Sequence, residues 1–195
     1  MRRRLVVLAT VIGLVSASSA RAGHHSWDFN ELYSNATGQI QFIEMTCPAN
    51  GEAGLAGWTV TNGTNTLNFA TNLPSTSTAG TSILIATSGF GSLPGGVAPD
   101  YIIPANFFST GGGTLTYAGG ADVWAYGAVP TNGVLSLPRA GSPAANSPKN
   151  FAGSTGSVNG AATAPMIGSW GLVLLLGSFL LIASGVLRRR RETTA

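Results

Sequence analysis

The sequence predicts an all-β antiparallel sandwich lying between two apolar terminal helices, and three observations carry that expectation. In the middle of the chain, apolar and polar residues alternate with a period of two in short runs separated by Gly, Pro, Asn and Ser clusters. No stretch of that region shows a capped helical period. The two long apolar segments sit instead at the chain ends, each beside a group of arginines.

Charge separates the same three regions. The 195-residue chain has 10 basic and 7 acidic side chains. Arg2, Arg3, Arg4 and Arg21 lie at one end and Arg188, Arg189, Arg190 and Arg191 at the other. Between residues 23 and 165 stand only Arg139 and Lys149 against six acids, a net charge of −4. A surface that neutralises phosphates needs several bases together, so nucleic acid is not an expected partner.

Residues 1–22 read as a cleaved secretory signal. Arg2, Arg3 and Arg4 precede an apolar run over residues 5–15, and Ala20-Arg21-Ala22 places small residues where signal peptidase needs them. The apolar run is too short to cross a ~30 Å hydrocarbon core at 1.5 Å per residue. Its strong hydrophobicity favours the general secretory route over the twin-arginine one.

Residues 23–139 form the predicted domain. Its β-rich runs cover residues 29–33, 39–47, 58–61, 66–69, 82–86, 114–117, 122–126 and 134–137. Asn62-Gly63 between two runs predicts a hairpin through a type I′ turn. Ile83, Leu84 and Ile85 are continuously apolar, as a strand covered on both faces requires. Seven or eight short strands with turn signals between them suit an antiparallel sandwich.

Residues 140–165 are rich in Ala, Gly, Ser and Asn. Such a segment offers too little apolar surface to offset its ordering entropy, which predicts a flexible stalk. Residues 166–187 then give 22 uncharged, mostly apolar positions followed at once by Arg188, Arg189, Arg190 and Arg191. That length matches a bilayer, and the basic cluster belongs on the cytoplasmic side, so a transmembrane helix with its C-terminus inside is expected. Trp170 falls at headgroup level.

Two resemblances add to this reading. Ala164-Pro-Met-Ile-Gly-Ser-Trp-Gly171 before a short apolar helix and a terminal arginine cluster resembles the IPTL-CTERM sorting signal, a relative of PEP-CTERM, with Pro165, Trp170 and Gly171 in register. That resemblance implies a bacterial envelope protein whose tail, residues 166–195, is recognised by a membrane sorting protease. In the domain, Phe29-Asn-Glu31, Gln41-Phe-Ile-Glu-Met45, Gly57-Trp-Thr-Val-Thr-Asn-Gly63, Asn68-Phe69, the strand over residues 79–86 and Asp122-Val-Trp-Ala-Tyr-Gly127 follow the order of motifs in bacterial lamin-tail domains. This second resemblance implies an immunoglobulin-like sandwich with an extracellular or envelope interaction role and no shared catalytic site.

Residues capable of chemistry are few. His24 and His25 are the two histidines; if cleavage follows Ala22, the new terminus Gly23-His24-His25 offers an amine, two backbone nitrogens and an imidazole to square-planar Cu(II) or Ni(II). The alternative is a polar lead-in to the first strand. A serine triad would need one of these histidines, and no Gly-x-Ser-x-Gly elbow is present. Cys47, the single cysteine, is expected to be a small buried apolar side chain. Asp28 and Glu31 should point to opposite faces of a strand, Glu44 should be partly buried and hydrogen-bonded to backbone, and Asp100 and Asp122 have no calcium-loop spacing. Asn35 and Asn62, both in sequons, read as turn residues.

The long loop over residues 89–108 holds Phe90, Tyr101, Phe107 and Phe108. Exposed, these rings would stack on sugars or dock a protein; folded back, they would cover a sandwich edge. The functional expectation is an exported, non-enzymatic interaction or structural module without a cofactor, partnered by the membrane and by an unidentified protein or glycan. An extracellular carbohydrate-binding protein and a cryptic hydrolase are the alternatives.

Overall fold

The computed structural model describes residues 24–159. The expected signal peptide, the transmembrane helix and the sorting motif with Pro165, Trp170, Gly171 and Arg188 to Arg191 lie outside the described residues. No helix among the described residues is long and apolar enough to cross a membrane.

Ten strands among these residues form two sheets. The larger has the order β10 (Ala144–Ala145), β9 (Leu135–Pro138), β1 (Asp28–Ser34), β2 (Gln41–Cys47), β5 (Thr81–Thr87), β6 (Tyr101–Ile103). The smaller has the order β4 (Thr66–Asn68), β3 (Thr59–Thr61), β7 (Gly113–Tyr117), β8 (Asp122–Tyr126). All eight strands expected from the alternating pattern are present. β6 and β10 are additional, and β6 departs from the antiparallel plan: it pairs with β5 in parallel through Ile85↔Tyr101 and Ala86↔Ile102. Residues 88–100 supply the crossover that a parallel neighbour needs.

The main core fills the space between the sheets. Trp27, Phe29, Leu32, Ile43, Met45, Ile83 and Ile85 meet Val60, Leu115, Tyr117, Trp124 and Tyr126, all buried. Each fully buried side chain of this kind contributes about 1.5–3 kcal/mol. Cys47 belongs to this cluster, and burial pushes its thiol pKa up, as suits a packing residue.

Register decides what the larger sheet shows on its other face. A bulge at Asn30 interrupts the β1–β2 pairing between Phe29↔Met45 and Glu31↔Glu44. Phe29 and Leu32 thereby enter the main core, while Tyr33 joins Phe42, Leu84, Ala86, Phe90, Val97 and Val158 in a second buried cluster. Ile83, Leu84 and Ile85 are all fully buried, with Leu84 in the second cluster and its neighbours in the first. The expectation of a strand covered on both faces holds.

The cover includes residues expected to be a stalk. From residue 144 the chain pairs with β9, then runs back across the sheet. Asn146 is 2% exposed and Val158 2% exposed. Residues 140–159 therefore belong to the folded body, which corrects the expectation of a flexible segment starting at 140. Composition alone omitted the acceptors that the sheet presents to this strap.

The Asn62-Gly63 hairpin is also corrected in detail. It closes through a four-residue loop, and Gly63 alone of its central pair has positive φ, +87°. The Asn62 side-chain oxygen accepts the amides of Thr64 and Asn65 at 2.9 and 2.7 Å, an arrangement that replaces the type I′ turn.

Asp122 ties the sheets together at one side. Its carboxylate accepts the Phe29 amide of β1 at 2.8 Å and both terminal guanidinium nitrogens of Arg139, at 2.5 and 2.8 Å. Asp122→Ala should lower stability by about 2–3 kcal/mol, because it orphans a buried amide and a half-exposed guanidinium together. Urea unfolding would measure it, with Asp122→Asn expected to lose less.

Candidate functional site

The four aromatic candidates do not form an open binding surface. Phe90, Phe107 and Phe108 are at most 3% exposed and Tyr101 is 9% exposed. Phe90 begins a short 3₁₀ turn and stacks edge-on against Tyr33 and Phe42. Tyr101 packs edge-on against Phe69, with its hydroxyl donating to the Thr71 carbonyl at 3.0 Å. Phe108 meets Tyr126. Each ring covers the sandwich, so the contact-surface expectation gives way to the packing one; apolar rings next to a sheet edge are stabilised more by the core than by water.

The same segment nevertheless builds one wall of a cleft. Residues 106–110 face the β1–β2 turn around Thr37 and the β3–β4 turn at Asn62, Thr64 and Asn65. The space has a volume of about 430 Å³ and its eleven lining residues are all uncharged: Ala36, Thr37, Gly38, Gln41, Asn62, Thr64, Asn65, Asn106, Phe108, Ser109 and Thr110. Amides and hydroxyls dominate.

Side chains hold these three segments in place. Gln41 donates from its amide nitrogen to the Phe108 carbonyl at 2.9 Å and accepts the Phe108 amide at 3.3 Å. Asn65 donates to the Phe107 carbonyl at 2.8 Å, and Asn62 donates to the same carbonyl. The Asn106 amide donates to the Gly38 carbonyl at 2.8 Å. Asn35, the other turn asparagine, accepts the Ile40 amide through its side chain at 3.2 Å. Thr37, Thr64, Asn106 and Ser109 remain exposed on the rim. A preformed, neutral, hydroxyl- and amide-lined cleft can hydrogen-bond a polar uncharged ligand without reorganising.

The histidines lie elsewhere. His24 stacks on Trp58 with ring centroids 3.6 Å apart, and His25 lies 3.8 Å from His24. Burial holds the His24 imidazole below its usual range, and His25 adds to that effect. No group of three or more His, Cys, Asp or Glu side chains among the described residues could hold a metal ion.

The buried acids are structural. Glu44 accepts from Asn30, Ser82 and the Lys149 amide, at 3.0, 3.3 and 2.7 Å. Glu31 accepts the Ser147 amide and hydroxyl, both at 2.9 Å. Asp100 accepts the Leu84 and Phe151 amides at 2.8 and 2.9 Å. The expectation for Glu44 is met, with the strap as its backbone partner. No protein-family model, curated protein or solved structure matches this chain.

Proposed function

We propose that the chain is an exported, non-enzymatic interaction module held at the cell envelope, and that it meets its partner through the cleft at the loop end of the sandwich. The terminal arginines and apolar segments support export and anchoring, and the acidic middle supports a site outside the cytoplasm. The observation that carries the binding reading is the neutral cleft built by three separate turns. On this reading the sandwich is immunoglobulin-like and related to lamin-tail domains, a likeness that rests on the motif order quoted above. The C-terminal segment is then a substrate for a membrane sorting protease.

A glycan is the second reading of the ligand, favoured by the hydroxyl- and amide-lined walls. Sugars present many neutral donors and acceptors, and such walls match them. Thr64→Arg places a long charged side chain at the exposed rim without touching the core. A glycan array probed with the protein and with this variant should show binding that the variant loses by tenfold or more. Retained binding in the variant would remove the cleft from the proposal, and silence on every glycan would leave a protein partner as the ligand class. Intact mass of the cell-derived protein tests the export half independently, since it reads the cuts at both ends.

A further inference from the structure

We propose that the outer face of the smaller sheet continues the cleft, and that the two together bind one neutral polysaccharide chain. The proposal rests on the glycan reading of the cleft and extends it from a sugar to a polymer.

The face is a grid of small uncharged side chains. Strand alternation sends Val60, Leu115 and Trp124 into the core, so their chain neighbours point outward. Register then aligns Thr66, Thr61, Thr116 and Val123 in one row across β4, β3, β7 and β8. Thr59 with Asn68 and Thr114 with Ala125 form the rows on either side. All of these residues are exposed or half-buried. The hydroxyls of Thr59, Thr114 and Thr116 bond to no group among the described residues, and neither do those of Thr64 and Thr110 in the cleft. Each free hydroxyl offers one donor and two acceptor lone pairs, the same set that a sugar hydroxyl offers.

The cleft and the face meet at the β3–β4 turn. Asn62, Thr64 and Asn65 wall the cleft, and Thr61 and Thr66 on either side of that turn open the face. On the opposite wall, Thr110 lies three residues before Gly113, where β7 begins. A chain seated in the cleft therefore passes directly onto the threonine rows.

Charge and area select the occupant. Residues 23–165 carry a net charge of −4, yet neither the cleft nor the face has a charged side chain, and Arg139 at the β8 edge is paired with Asp122. A charged partner would lose hydration there with no counter-ion to meet it, and a polyanion is repelled by the acidic body as well. With strands ~4.8 Å apart and rows ~6.7 Å apart, the face covers about 200 Å². A stable protein interface takes about 800 Å² from each partner and a core richer in apolar and aromatic side chains, so a second copy does not fit. A polysaccharide needs only repeated neutral contacts along a line, each weak alone and reinforced by the linkage to the next.

The test uses the full chain in a detergent without a sugar headgroup, with cello-, laminari- and malto-oligosaccharides of increasing length as probes. At least one series should bind, with affinity rising tenfold or more from the disaccharide to long oligomers. Thr116→Arg puts a long charged side chain in the middle of the grid; it should remove the gain with length and leave disaccharide binding in the cleft unchanged. Thr114→Arg, at an exposed position, keeps the test valid should Thr116→Arg fail to fold. Thr64→Arg should weaken binding of every oligomer. Affinity that does not change with length, or a gain with length that the folded face variants keep, would overturn the proposal and leave the cleft reading standing. Binding that Thr64→Arg spares would overturn both. Silence from all three series would overturn the polysaccharide and leave the cleft to a protein partner.

Discussion

A chain ended after residue 143 is expected to lose on the order of 5 kcal/mol of stability or fail to fold, while a chain ended after residue 160 keeps its full stability. Residues 144–159 supply little apolar area, yet they meet buried acceptors that have few other donors. Both Glu31 oxygens take Ser147, Glu44 takes the Lys149 amide, and Asp100 takes the Phe151 amide. Asn146 bonds both the amide and the carbonyl of Val158, closing the strap over Tyr33, Phe42 and Phe90. Removing the strap uncovers that cluster and leaves Glu31 and Glu44 paired across β1 and β2 without the strap's amides to balance their charge. Each orphaned buried acceptor costs about 1–3 kcal/mol. Gly156→Ala is a milder probe: a Cβ there would fall 2.2 Å from the Gly95 carbonyl oxygen, so the strap would have to move. Urea unfolding of the two truncated chains and of this variant would rank the three effects, and equal stability for the chains ended after 143 and 160 would show that the strap contributes nothing.

The same strap explains what could be read from the sequence and what could not. The β-rich run from Phe29 to Tyr33 and the unbroken run of Ile83, Leu84 and Ile85 mark their strands, so the strands and even the two-sided cover of β5 were legible, but the bulge at Asn30 that sends Tyr33 to the face opposite Phe29 was not. The identity of the cover was not. Its fit depends on glycines that let backbones touch, Gly95 against Ser157 and Gly156 against Gly95, and on carboxylates more than a hundred residues away in the chain, such as Glu31 for Ser147. Small polar residues that look disordered by composition become ordered when distant acceptors await their amides. The cleft was hidden for a related reason. Thr37, Asn62 and Asn106 are turn residues individually, and only the sheet order brings their loops together. The aromatics were found as a group, but a loop holding four rings carries no local signal of whether they face water or core. Here β6, three residues long and parallel to β5, turns Tyr101 and Ile103 inward.

Glu44→Gln is expected to become more stable than the parent protein as pH rises, by on the order of 3 kcal/mol between pH 4 and pH 8. Burial raises the Glu44 pKa from 4.5 to about 7, and the neighbouring Glu31 pushes the same way; the donors Asn30, Lys149 and Ser82 favour the charged form but are outweighed. A carboxyl with a raised folded-state pKa binds its proton more tightly in the folded chain than in the unfolded one. Its contribution is therefore most favourable below pH 4.5, declines as pH rises through 7 and then levels off. Glutamine carries no charge at any of these pH values, and its carbonyl oxygen can still accept the Lys149 amide, so the variant lacks this decline. Urea unfolding of both proteins at pH 4, 6 and 8 gives the difference directly, and parallel curves would show that Glu44 is not desolvated.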